Sequence, residues 1–64
     1  MSNDIFRHLA NKNNEEIKIL SDDLARGHAK DHGEYKYAAG VIRGLMMANS
    51  FIAETAHKME TDDD

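Results

Sequence analysis

The chain has 64 residues, no Cys and no Pro, and carries 12 acidic against 8 basic side chains, a formal net charge of −4. A domain this small buries only a modest share of its surface, and the usual remedies are disulfides, a metal or oligomerisation. Without Cys the first remedy is closed and redox compartment cannot be read, which makes self-association the default expectation. The hydrophobic share of 41%, with 31% charged residues and only four Gly, suits a helical protein rather than a disordered or loop-rich one. Two Tyr and two Phe are too few aromatic rings for an ordinary β-sandwich.

The first segment, residues 1–13, has neither a cationic leader nor a long apolar run, and nothing in the chain approaches the roughly 18 apolar residues of a membrane span. It reads as the start of a cytosolic protein forming one domain over residues 1–64. Ile5, Phe6, Leu9 and Ala10 form an apolar patch at helical spacing, with Asn3 or Asp4 as a cap. The polar run 11–14 then interrupts it. Asn is a poor residue inside a helix, so a short helix over about 4–11 with a break at 11–14 is favoured over one helix spanning 4–26.

Asn13 or Asn14 with Glu16 looks like a capped helix start. Ile17, Leu20 and Leu24 follow on one stripe, and Gly27 is placed to end the helix in the left-handed conformation. This predicts a helix over about 14–26. The turn is expected at 28–33, where Asp31 and Glu34 repeat the capping pattern. A second helix is predicted over about 33–60, and a connection this short makes the pair antiparallel. Its stripe reads Tyr35, Ala38, Ile42, Leu45, Asn49, Ile52, Ala56, Met59, the strongest periodic signal in the chain.

The fold expected is therefore all-α, an antiparallel helical hairpin, with Leu24 near Ala38 and Ile42, Leu20 near Leu45, Ile17 near Asn49 and Phe6 near Met59. The aliphatic content of one such interface falls short of the ordering entropy of the chain, which again points to an oligomer. Asn49 on the core stripe either fixes register through a shared amide or sits hydrated at its edge.

Helix two is apolar on more than one side: Val41, Met46, Ala48 and Ala53 widen the core stripe, while Tyr37, Gly40, Gly44, Met47 and Phe51 lie near the opposite face. One partner helix covers only one face. Those five residues are the candidate protein interface, against the plainer reading of scattered exposed residues. Gly40 and Gly44 each cost a helix about 1 kcal/mol relative to Ala, and their spacing either admits a close backbone or ring, or marks a locally weak helix.

Charge is unevenly spread: residues 1–25 hold 3 basic and 5 acidic side chains, 26–43 hold 4 and 2, and 44–64 hold 1 and 5. A hairpin would thus have a positive turn end and a negative open end. Arg26, Lys30, Lys36 and Arg43 are a candidate anion contact, weighed against a solvated helix end, and nothing resembles a basic stripe for duplex nucleic acid. His28 and His32 have a spacing that could serve a metal, but no third ligand is evident, and with His8 and His57 they read as surface residues. No nucleophile with a base, no phosphate-binding Gly loop and no cofactor motif is present, so the chain reads as no enzyme, without cofactor or metal. Residues 61–64 read as a frayed acidic tail.

Leu24 to Glu54 resembles a group of short, uncharacterised helical proteins of tailed bacteriophages, through Glu34, Tyr35, Gly40, Ile42, Gly44 and Leu45, an E-Y then G-x-I-x-G-L pattern. Such proteins are often encoded near head and portal genes. The resemblance implies a viral structural or assembly adaptor in the host cytoplasm and the virion, binding itself and a larger phage structural protein. The alternative is a host-takeover protein that binds and inhibits a bacterial protein. The resemblance carries over no catalytic residues.

Overall fold

A computed structural model describes residues 2–61, with side chains described from residue 4 onward; the predicted tail residues 62–64 lie outside the described residues. Two helices make up the fold, α1 at Ser2–Ala25 and α2 at His32–Thr61, and they pack on each other as a hairpin. Among the described residues there is no strand.

The favoured break at 11–14 is not there: α1 runs without interruption from Ser2 to Ala25. Asn13 and Asn14 are therefore interior residues and not caps. Asn13 shares the half-buried stripe of Phe6, Ala10, Ile17, Leu20 and Leu24, all at steps of three or four. Its amide Nδ2 donates to Asn49 Oδ1 at 2.8 Å across the hairpin. Helix propensity is a weak preference that such tertiary contacts override.

Gly27 ends α1 as expected, with φ of 77°. Its N–H donates to Leu24 O at 3.0 Å and the N–H of His28 donates to Asp23 O at 3.0 Å, the two bonds of a Schellman ending. The last turn of α1 holds no basic residue, but His28 Nδ1 lies 3.3 Å from Asp23 Oδ1 and ties the outgoing chain to the helix end. On the solvent side Lys18 and Asp22 form an i,i+4 pair at 3.1 Å, worth a few tenths of a kcal/mol at most, about 0.3–0.5.

Asp31 caps α2 through its Oδ1, which accepts from Glu34 N–H at 2.8 Å, and the helix begins at His32. Gly33 thus belongs to the first turn of α2 and not to the connection. At the far end Thr61 Oγ1 donates to Lys58 O at 3.0 Å and satisfies one terminal carbonyl.

Asn49 sets the register. Its Nδ2 donates to Asn14 Oδ1 at 2.9 Å and to Ala10 O at 3.4 Å, while its Oδ1 accepts from Asn13. Asn49 therefore faces the turn of α1 before Ile17, and the expected Ile17–Asn49 pairing is corrected by one turn. Carried along antiparallel helices from that anchor, Ile17 stands across from Leu45, Leu20 from Ile42 and Leu24 from Ala38. Phe6 shares a recess with Ile52, Ala53 and Ala56. Both ends of the predicted α2 stripe are also corrected: Tyr35 and Met59 are exposed, and the Tyr35 ring stacks instead on His32 at a centroid distance of 6.4 Å.

The molecule measures 52 × 16 × 11 Å, a single layer of two helices. Solvent reaches the contact zone from above and below, and no described side chain is fully buried. The accessible surface is 5226 Å². A compact monomer of 7.2 kDa would expose roughly 4100 Å².

Candidate protein interface

Successive residues of a helix are turned by about 100°, so Tyr37, Gly40, Gly44, Met47 and Phe51 fall within one narrow arc of α2. That arc is rotated well away from the half-buried row Ala38, Ile42, Leu45, Asn49, Ile52 and Ala56 that meets α1. Tyr37 is 77% exposed, Phe51 58% and Met47 51%. The five predicted residues are thus brought together as one exposed apolar stripe, turned away from the row that meets α1. Val41 and Ala48, predicted to widen the core stripe, are half-buried beside it; Met46 and Ala53 are exposed.

A Cβ built at Gly40 or at Gly44 would meet nothing within 4 Å. Nothing inside the hairpin therefore calls for glycine at either place. The backbone of α2 is bare along this stretch, and a neighbouring helix could come closer there than side chains ordinarily allow.

Sequence reasoning passed over Ile19. Together with Ile5 and Leu9 it forms an exposed apolar row on α1, interrupted by Lys12 and Glu16 and continued by Asp23. Asp23 and Tyr37 both line the recess of about 380 Å³ beside the turn, floored by Leu20, Leu24 and Ala38. The row on α1 and the stripe on α2 therefore lie toward one broad side of the hairpin. A mean over the whole helix hides Ile19, because it follows Lys18 and lies off the core stripe; its spacing from Ile5 and Leu9 was the available signal.

The cations do not form one tight cluster. Arg26 closes α1, Lys30 lies in the connection and Lys36 in the second turn of α2, while Arg43 stands roughly 16 Å along α2 from its start; all four are exposed. His28 is held by Asp23 and His32 by Tyr35, so the two imidazoles have separate partners. Among the described residues no three His, Asp or Glu side chains gather as a metal site, and no helix is long and apolar enough to cross a membrane. No family model, curated protein or solved structure matches the chain.

Proposed function

We propose that the chain is a non-catalytic assembly adaptor that works by protein contact, with the stripe Tyr37, Gly40, Gly44, Met47 and Phe51 as its working surface. One observation carries the reading: large apolar side chains stand exposed in a continuous row around two bare glycine positions. Contiguous exposed apolar surface on a small protein marks contact with another macromolecule. The surplus of roughly 1100 Å² over a compact monomer exceeds the ~800 Å² per partner that a standard protein interface removes. A second copy of the chain and a larger structural protein are the partners assigned.

The setting in a phage particle rests on the likeness carried by Glu34, Tyr35, Gly40, Ile42, Gly44 and Leu45 alone. It places the protein in the host cytoplasm during assembly and in the virion afterward. Detection of the chain in purified particles of the encoding virus, in fixed ratio to the head or portal protein, is the expected result. Its absence from particles and recovery on a host enzyme would replace this setting with that of a host-directed inhibitor.

Size-exclusion chromatography with light scattering on the wild type and on the double variant Gly44→Leu, Met47→Glu tests the contact surface itself. The wild type should run above the 7.2 kDa of a single chain and the variant at that mass. Identical monomeric behaviour of both would refute the assignment of the stripe as a self-contact surface.

A further inference from the structure

We infer that the stripe on α2 is self-complementary, so that two copies pair α2 against α2 in antiparallel fashion about a twofold axis midway between Gly40 and Gly44. This rests on the self-association reading above and adds its geometry. A twofold contact uses the same patch on both copies, and each position must find its counterpart on that same patch. Gly33 extends the stripe by one turn before Tyr37. Reversing α2 about the chosen midpoint exchanges Gly40 with Gly44, Tyr37 with Met47, and Gly33 with Phe51. All six positions map onto one another.

The sizes match as well as the positions. Each bare Gly44 meets the partner's Gly40, which lets the two backbones approach closely at the axis. Phe51 then lies over the partner's Gly33, and Met47 packs against the partner's Tyr37, a sulfur-to-ring contact of the favourable kind. Within the chain Gly33 has its own reason to lack a side chain, since a Cβ there would sit 3.3 Å from Asp31 Oδ1. The same absence leaves the space that the partner's ring fills.

Charge selects the direction. Residues 26–43 carry 4 basic and 2 acidic side chains, and residues 44–64 carry 1 and 5. In the antiparallel pair the acidic half of one α2 runs toward the basic turn end of the other, and Glu54 reaches just past the start of the partner's α2. A parallel pair would lay each end on its like, with the acidic stretches side by side. The surplus surface of the hairpin is large enough to supply a contact of ordinary size.

The chain has no cysteine, so introduced thiols report without interference. Positions 37 and 47 are about 15 Å apart along one helix, beyond the reach of any disulfide within a chain. Mild oxidation of the variant Tyr37→Cys, Met47→Cys should give a dimer whose peptides are joined 37 to 47. Links joining 37 to 37 and 47 to 47 would overturn the antiparallel pairing while leaving self-association standing. A chain that stays monomeric in the wild type would overturn both.

Spin labels outside the stripe provide a second reading that spares Tyr37 and Met47. On Arg43→Cys, beside the axis, the label-to-label distance should be short. On Lys58→Cys it should reach roughly 50 Å, because the two labels then lie at opposite ends of the dimer. Equal distances at the two positions would contradict the antiparallel arrangement.

Discussion

The two faces of α2 are built on different principles. The inward face meets α1 through aliphatic side chains and one polar layer, in which Asn49 exchanges hydrogen bonds with Asn13, Asn14 and Ala10. Each of those amides has its partner within the chain, so this face specifies the hairpin and its register by itself. The outward face has larger side chains and more bare backbone, yet Gly40 and Gly44 have no neighbour that would obstruct a Cβ. Helix stability is given up there with no return inside the molecule. The proposed contact with a second copy accounts for a face that costs its own chain stability.

Substitutions on the two faces should behave differently, and the largest effect belongs to the inward one. Leu20→Ala removes an aliphatic side chain from the contact with α1 and should cost about 2 kcal/mol, the low end for such truncations because Leu20 is only half-buried. Urea unfolding reads it directly. Asn49→Ala leaves three α1 groups without their shared partner but still within reach of water, and should cost about 1 kcal/mol in the same measurement. No loss in either variant would mean that the inward face does not hold the hairpin.

Gly40→Ala has a smaller effect whose sign separates the faces. In an isolated helix the change stabilises by up to about 1 kcal/mol. If the outward face packs against a second copy, the added methyl raises helicity in dilute solution while weakening association severalfold, as followed by sedimentation equilibrium. A gain in helicity with association unchanged would remove Gly40 from the interface.

Much of the hairpin was legible in the sequence because its signals are local. The 3,4 spacing of Ile17, Leu20 and Leu24, Gly27 with its positive φ, and Asp31 bonded to Glu34 each depend on a few neighbouring residues. The continuity of α1 was not legible, because Asn13 and Asn14 have the chemistry of caps, and only the arrival of Asn49 from 36 residues away makes an interior position favourable for Asn13. The register error has the same origin: hydrophobic periodicity sets which face is buried, whereas a one-turn slide along that face needs a specific polar pair to forbid it. The stripe on α2 was readable from helical spacing, whereas the row of Ile19 on α1 emerges only from the alignment of three widely separated residues on a polar surface.

If a second copy completes the hairpin, its thermal unfolding, followed by far-ultraviolet circular dichroism, depends on protein concentration. When folding is coupled to association, the midpoint must rise with concentration. Over a hundredfold range the wild type should gain on the order of 10 °C, and Gly44→Leu with Met47→Glu should lose that dependence. A wild-type midpoint that stays constant across the range would show that one copy is stable alone and that no second copy completes it.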